Sequence, residues 1–339
     1  MNVPFMLAPM AELSHRALRE LIEGFGGCDE YFTEMISAPA LLTGGPFESW
    51  YIDGGPRPEK VVYQLVGADT GQIVKAAALL DRLECVGIDI NMGCSAPLIR
   101  KTGAGVAWMT SPSREEAVDR AGELIKEVRK AVKRRLSVKL RTGLTDDFEF
   151  LVQFCRRLES EGVDLIVLHP RTAKEKFKRL ARWDYVGALR GELHIPVAGN
   201  GDIENAESLI YRASGPCDAV MVGRAAVQKP WIFAQARKMV TDTSLYVGDF
   251  KNMVTDTFLE ETGLRFLELL ARWQPPEFHL SRARRFFGFF CDNLKWGNHL
   301  KNLLNREVSL AGIEKVWRGH FQGNLGSQEF SDAQGPHTS

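Results

Sequence analysis

Short apolar runs alternate with stretches of helical periodicity over the first two thirds of the chain. Apolar runs bounded by turn residues predict buried strands, and apolar residues that recur every three to four positions predict amphipathic helices. A helix is predicted over residues 113–133, because Ser113 is followed three residues later by Glu116 in a capping-box pattern. Eight strands are predicted, at residues 5–8, 31–33, 61–66, 87–91, 138–141, 165–169, 196–199 and 219–223.

Eight strands that alternate with helices predict a (β/α)8 barrel. An open doubly wound sheet is the alternative, but Ala8-Pro9-Met10-Ala11 stands where a dinucleotide-binding sheet has a glycine-rich turn. Polar residues within or just beyond the predicted strands favour the barrel, since its strand ends share one face, where active sites form. These residues are Gln64, Asn91, Lys139, Arg141, His169, Asn200 and Arg224.

The last third of the chain has a purely helical pattern. Helices are predicted over residues 250–273, 276–294, 298–305 and 309–321. We therefore predict a catalytic barrel over residues 1–243, a small helical domain over residues 244–322, and a disordered, Gly- and Ser-rich tail over residues 323–339. Several of four phenylalanines should form the helical core, and three arginines should emerge at its edge. The phenylalanines are Phe286, Phe287, Phe289 and Phe290, and the arginines are Arg282, Arg284 and Arg285.

Composition narrows the class of protein. The 339 residues are 45% hydrophobic and 25% charged, which is typical of a soluble globular protein, and the apolar runs fall short of the roughly 18 residues of a membrane span. The first residues lack the pattern of a signal peptide, so we expect a cytoplasmic monomer with no membrane partner. The six cysteines form no Cys-x-x-Cys pair, which argues against a metal centre and against a disulfide framework.

The loops after the last two predicted strands carry the strongest ligand signal. Gly199-Asn200-Gly201-Asp202 follows one strand, and Gly223-Arg224-Ala225-Ala226 follows the next. Barrels commonly bind phosphate there, because glycine lets the backbone approach the anion and helix amino termini donate N–H groups. Ordinary turn glycines are the alternative.

Lys139, His169 and Gln64 should project into the same mouth of the barrel. A lysine can stabilise negative charge near nitrogen 1 of a flavin, and an amide or imidazole can bond the pyrimidine edge of the ring. With the phosphate loops they predict an FMN site, and nothing in the sequence provides for the adenylate half of FAD. A buried structural pair is the alternative for the lysine and the histidine.

Cys94 lies on a glycine turn directly after an apolar strand, in Asp89-Ile90-Asn91-Met92-Gly93-Cys94. A thiol in that position is expected to face a ligand, whereas most free cysteines are simply small buried apolar residues. The formal net charge is zero, so a nucleic-acid partner would need local basic patches. Two are present, at residues 171–182 and 282–318, and solvated faces are the alternative for both.

Together these motifs resemble the tRNA-dihydrouridine synthase family, and the helical region is similar to that family's RNA-binding domain. The motifs run in order from residue 7 to about residue 233 and comprise Leu7-Ala8-Pro9-Met10, Tyr31-Phe32-Thr33-Glu34-Met35-Ile36, Gln64-Leu65-Val66-Gly67, Asn91-Met92-Gly93-Cys94, Val138-Lys139-Leu140-Arg141-Thr142-Gly143, His169-Pro170-Arg171-Thr172, Gly199-Asn200-Gly201-Asp202 and Gly223-Arg224. The chain departs from the family where Ser95-Ala96-Pro97 follows the cysteine instead of proline, and at Glu12, Ser14 and His15.

The resemblance implies an enzyme that reduces uridine in RNA, with tRNA as the expected partner, to 5,6-dihydrouridine, using FMN and NADPH. It implies Cys94 as the catalytic acid, which gives a proton to uracil carbon 5 after a hydride reaches carbon 6; an unperturbed thiol is protonated at neutral pH. Asn91 and Arg141 are expected at the uracil, and Arg171, Lys174, Arg282 and Arg285 at RNA phosphates. The implied FMN contacts are Pro9, Met10, Ala11, Gln64, Lys139, His169, Asn200, Gly201, Asp202, Gly223 and Arg224.

Three alternatives stay open at this point. The chain could be a barrel flavoenzyme that acts on a small metabolite, similar to dihydroorotate dehydrogenase, although such an enzyme would not need the basic helical domain. It could be an RNA-binding protein without catalysis, or a synthase that acts on ribosomal RNA.

Overall fold

The computed structural model describes residues 3–176, 178–241 and 254–323. Its sheet is parallel throughout, and β1 pairs with both β2 and β9 while β2 pairs with β4, which closes eight strands into a barrel. The short strand β3 lies outside this ring, beside the carboxyl end of β4. The predicted barrel is confirmed, and the open sheet is excluded by the closure. The strands are β1 (Phe5–Leu7), β2 (Glu30–Phe32), β3 (Ile36–Ser37), β4 (Val61–Val66), β5 (Gly87–Met92), β6 (Arg135–Arg141), β7 (Leu165–His169), β8 (Val197–Asn200) and β9 (Ala219–Val222).

Helices connect the strands on the outside of the barrel. At the start of α6 the Ser113 hydroxyl accepts a hydrogen bond from the Glu116 N–H at 3.1 Å, as the capping pattern predicts. No helix in the described part of the chain is long and apolar enough to cross a bilayer. The helices are α1 (Arg16–Gly24), α2 (Ala38–Thr43), α3 (Glu48–Tyr51), α4 (Thr70–Leu80), α5 (Pro97–Lys101), α6 (Arg114–Ala131), α7 (Phe148–Ser160), α8 (Trp183–Glu192), α9 (Ala206–Ala213), α10 (Arg224–Gln228) and α11 (Ile232–Thr241).

The barrel interior changes from apolar to polar along its axis. Side chains alternate between the two faces of each strand, so every second residue points inward. An apolar layer fills the lower part of the interior, and polar side chains follow it toward the carboxyl ends of the strands. The apolar layer consists of Met6, Ala8, Phe32, Val62, Leu165, Val167, Ala198, Ala219 and Met221.

Four helices form the carboxy-terminal region, α12 (Asp256–Trp273), α13 (Pro276–Phe290), α14 (Gly297–Arg306) and α15 (Leu310–Phe321). Phe286, Phe287 and Phe290 are buried in its core, with the Phe266 and Phe286 rings stacked at 3.7 Å. Helix α12 also packs against α1, so this region is docked on the barrel. The predicted helical region is confirmed, whereas the predicted boundary at residue 243, the helix start at residue 250, and residues 324–339 of the predicted tail lie outside the described residues.

Candidate active site

A cavity of about 680 Å³ opens at the carboxyl ends of the barrel strands. The loops after β1, β2, β5, β7, β8 and β9 and the carboxyl end of β6 line it, and helix α13 of the carboxy-terminal region completes one side. The predicted site residues that meet in this lining are Pro9, Met10, Ala11, Asn91, Cys94, Lys139, Arg141, His169, Arg171, Asn200, Gly201, Asp202, Gly223, Arg224 and Arg285. Gln64, Lys174 and Arg282 lie elsewhere.

The cavity lining is strongly positive. It contains six cationic side chains, those of Lys139, Arg141, Arg171, Lys176, Arg224 and Arg285, and the single carboxylate of Asp202. Such a lining suits a ligand that carries phosphate. Among the residues described by the structure, no cluster of His, Cys, Asp or Glu is arranged to hold a metal ion.

Lys139 and His169 both line the cavity, but they differ in charge. The Lys139 ammonium donates to the Asn200 carboxamide oxygen at 3.0 Å, and burial, followed by the nearby Arg141, lowers the pKa of Lys139 to about 8. Burial, followed by Lys139 and three arginines, holds the pKa of His169 far below its usual value. The imidazole is therefore neutral, and its Nε2 lies 3.1 Å from an Arg171 nitrogen, which can only donate.

The loop after β8 requires glycine at position 201. Gly201 has a φ of +122°, and a Cβ there would lie 3.1 Å from the His169 ring and from Ala181. Next to it, the Asp202 carboxylate pairs with Arg171 and accepts the Ala181 N–H at 2.6 Å. Asp202 thus ties the loops after β7 and β8 together. Arg171 is 2% exposed, so it supports the cavity wall, and its contact with RNA stays a prediction.

Cys94 is held at the cavity wall by its own backbone. Its N–H donates to the Asn91 side-chain oxygen at 2.9 Å, and its carbonyl accepts the Val106 N–H at 2.9 Å. Gly105 has a φ of +63°, and a Cβ there would lie 2.5 Å from the Cys94 carbonyl oxygen. Cys94 is partly exposed, whereas Cys28, Cys85, Cys155, Cys217 and Cys291 are buried.

Three predicted positions need correction or relocation. Arg282 does not emerge at the domain edge: it is 2% exposed and donates to Glu34 at 2.9 Å, because α13 docks this face on the barrel. Gln64 is fully buried below the cavity, and both ends of its carboxamide bond neighbouring side chains instead of projecting into the mouth. Lys174 is exposed on its loop, while Lys176 lines the cavity.

The sequence contained signals for some residues that were missed. Asp89 stands two positions before Asn91 on β5, and Ser137 two positions before Lys139 on β6, so strand alternation places each pair on the same inward face. Phe289, predicted with the helical core, is partly buried and lines the cavity. Glu34 gave no local signal, because its partner Arg282 is 248 residues away in the chain.

The chain is similar in sequence to several known proteins. The family model described as Dihydrouridine synthase (Dus) matches residues 6–261. A probable tRNA-dihydrouridine synthase of Aquifex aeolicus is 34% identical over 242 residues, 69% of this chain and 72% of that protein. A probable tRNA-dihydrouridine synthase of Rhodobacter capsulatus is 32% identical over 303 residues, 86% of this chain and 87% of that protein. Histamine dehydrogenase from Rhizobium sp. 4-9 shares the barrel fold, with a TM-score of 0.50 and 13% identity over 70% of this chain and 46% of that one.

Proposed function

The chain belongs to the dihydrouridine synthase family, and from that premise we propose that it reduces uridine in tRNA to 5,6-dihydrouridine. The observation that carries the proposal is the positive cavity with the Cys94 thiol in its wall and a helix of the carboxy-terminal region at its rim. A catalyst for a base within RNA needs a cationic mouth, a proton donor and a surface that holds the surrounding strand.

The cavity fits a bound FMN. Met10 and Ile203 offer apolar surface for a ring system, and the cations suit a phosphate. Lys139 and the neutral His169 would bond the flavin ring, and the loops at Asn200–Gly201 and Gly223–Arg224 would hold the phosphate. Asp202 would act indirectly, because its carboxylate is paired with Arg171. Bound FMN, once reduced by NADPH, would supply hydride chemistry for uracil carbon 6.

Cys94 would donate the proton to uracil carbon 5. Two backbone hydrogen bonds hold the residue at the wall, and its side chain is accessible from the cavity. A general acid must lie within hydrogen-bond reach of the atom that it protonates, so the fixed turn matters as much as the thiol. Arg141 donates to the carbonyl oxygens of Thr172 and Lys176, which hold its guanidinium in the cavity wall. There it would bind a uracil carbonyl or a nearby phosphate.

The RNA would contact both parts of the molecule. A uridine within folded RNA has to be flipped out of its stack, at a cost of a few kcal/mol. Lys174 and Lys176 on the loop after β7 and Arg285 on α13 are exposed cations that can bind the flanking phosphates.

The direct test uses purified protein loaded with FMN, NADPH, and an unmodified tRNA transcript. Mass spectrometry should detect a gain of two hydrogens at defined uridines, and ribosomal RNA and free uridine serve as competing substrates. Dihydrouridine only in ribosomal RNA, or reduction of free uridine alone, would contradict the choice of tRNA. No reduction of any RNA by FMN-loaded protein would refute the proposed function.

The affinity of the apoprotein for FMN should fall by up to about tenfold between pH 7 and pH 9. Because the pKa of Lys139 is lowered to about 8, its charged fraction decreases over this range, whereas an ordinary lysine stays charged. Titration by quenching of FMN fluorescence measures this. Lys139→Met should bind FMN more weakly, with little pH dependence; a variant that keeps the wild-type slope would show that another group titrates.

Arg285→Ala should weaken tRNA binding several-fold and reduce the salt dependence of binding by about one phosphate contact. The side chain is exposed at the cavity rim, so its loss removes a cation without opening the core. Filter binding over a range of salt concentrations gives the slope. Lys133→Ala is the matched control, since Lys133 is exposed just before β6, at the opposite end of the barrel. Equal effects of the two substitutions would contradict the placement of RNA at the mouth.

A further inference from the structure

A continuous chain of side-chain hydrogen bonds runs below the cavity from β6 to the Cys94 turn. The Ser137 hydroxyl donates to the Asp89 carboxylate at 2.6 Å, and the Gln64 amide nitrogen donates to its other oxygen at 2.7 Å. The Gln64 oxygen accepts from the Asn91 amide nitrogen at 2.8 Å. The Asn91 oxygen then accepts the N–H groups of Gly93 at 3.2 Å and Cys94 at 2.9 Å.

Barrel register places these residues side by side. Gln64 on β4 is the neighbour of Asp89 on β5, and Asp89 is the neighbour of Ser137 on β6. All three side chains are fully buried, and Asn91, two residues further along β5, is 6% exposed. Burying polar groups is costly unless they are bonded, so this row is held together by its hydrogen bonds.

The hydrogen bonds from the Cys94 turn to Asp89 all run with one donor-to-acceptor orientation, and Asp89 sets that orientation. Burial raises the pKa of Asp89 to about 7, but the oxygen that faces Gln64 can accept in either protonation state, because an acid proton on the other oxygen can be donated to the Ser137 hydroxyl. Asp89 therefore holds the NH2 end of the Gln64 carboxamide and turns the oxygen end toward Asn91. That oxygen in turn holds the NH2 end of Asn91, which leaves the Asn91 oxygen for the N–H groups of the turn. If the two amides rotated, the Asn91 NH2 would face two backbone donors, and the Cys94 turn would lose its anchor.

We propose that Asp89 is a positioning residue that orients Cys94 through Gln64 and Asn91. The inference rests on the proposed function, because it assigns Cys94 the proton transfer. It also gives Gln64 and Asn91 a role other than direct contact with flavin or uracil. A donor misplaced by about 1 Å can cost on the order of 100-fold in rate.

The test compares Asp89→Asn with Asp89→Leu in FMN-loaded protein. The asparagine oxygen can still accept from Gln64 and its NH2 can bond Ser137, so uridine reduction should stay within about threefold of the wild type. The leucine offers no acceptor, and kcat for uridine reduction should fall about 10- to 100-fold while FMN content and NADPH oxidation by an artificial acceptor stay unchanged.

A second readout does not depend on the reaction. Cys94 is the partly exposed cysteine and the other five are buried, so iodoacetamide should label it selectively. Peptide mass spectrometry should show a labelling rate changed at least several-fold in Asp89→Leu and nearly unchanged in Asp89→Asn. Gln64→Leu, which breaks the chain one link later and leaves Ser137 on Asp89, should match Asp89→Leu and carries the test if that variant fails to fold.

The outcomes separate this inference from the proposed function. A wild-type kcat and a wild-type labelling rate in Asp89→Leu or in Gln64→Leu would overturn the positioning role of Asp89, even if the wild-type protein reduces uridine. Equal loss in Asp89→Asn and Asp89→Leu would overturn it too, because the carboxylate's charge and not the direction of the hydrogen bonds would then matter. If wild-type protein reduces no RNA, the proposed function fails, and the labelling rates still decide whether Asp89 positions the turn.

Discussion

Cys94→Ala should leave FMN bound and reducible by NADPH while uridine reduction slows by about 100- to 10,000-fold, the usual contribution of a general acid. The thiol lies in the cavity wall, and its backbone is fixed by Asn91 and Val106, so removal of the sulfur deletes the proton donor without moving the turn. Stopped-flow measurement of flavin absorbance separates the two half-reactions. The first should be unchanged, and the second should nearly stop.

Two controls make the Cys94 result specific. Cys94→Ser keeps a side chain of similar size with a much weaker acid, so it should also be slow but should bind the RNA normally. Thermal unfolding should be close to wild type for both variants, because Cys94 is only partly buried. Full activity of Cys94→Ala would refute the role of this cysteine, and loss of FMN from the variant would show that the residue serves the cofactor site instead.

The second large effect concerns the contact between the barrel and the helical region. Arg282→Leu should lower the free energy of unfolding by about 3–5 kcal/mol, because it leaves the Glu34 carboxylate buried without its partner. Glu34 and Arg282 side chains are 5% and 2% exposed, and their ion pair measures 2.9 Å. Guanidinium unfolding followed by tryptophan fluorescence measures the loss. Arg285→Leu is the control, because Arg285 lies three positions further along the same helix and its side chain is exposed. It should change the free energy of unfolding by no more than about 0.5 kcal/mol.

The pH dependence of this loss has a definite sign. Burial already raises the pKa of Glu34, and Arg282 is the largest influence that lowers it. Without Arg282 the pKa should rise further, so ionisation of Glu34 works against the folded state as pH increases. The deficit of Arg282→Leu should therefore be larger at pH 7 than at pH 5. The double variant Glu34→Leu with Arg282→Leu should recover most of the stability. Failure to do so at either pH would show that other contacts of the pair dominate, namely the ring contacts of Arg282 with Phe278 and Tyr51 or the bond from the Glu12 N–H to Glu34.

The departures from the family pattern near the amino terminus leave the loop after β1 well supported. The Ser14 hydroxyl accepts the Met10 N–H at 2.8 Å and donates to the Met10 carbonyl at 3.1 Å, which fixes the loop after β1. His15 is buried against Phe266 of α12, with ring centroids 6.1 Å apart, so it belongs to the domain contact. Ser95, Ala96 and Pro97 line the cavity beside Cys94. We have no physical account of why this segment replaces the usual proline.

The sequence sufficed for the order of the elements and for the residues at the strand ends. Strand and helix periods are local properties, so residues such as Lys139 and His169 could be assigned to the barrel mouth from the pattern of their own segments. Gly201 and Gly105 also gave a local signal for their turns, because glycine is the residue type that most readily adopts a positive φ. Family motifs then supplied the chemistry of Cys94.

Partners across the barrel and between the two parts of the molecule required the folded structure. The carboxamide of Gln64 turns away from the cavity because register sets it beside Asp89, and Arg282 is buried because α13 docks on the loop that carries Glu34. Such contacts join residues 25 to 248 positions apart. Periodicity within one segment says which way a side chain points, but closure of the barrel and docking of the helices decide what it meets.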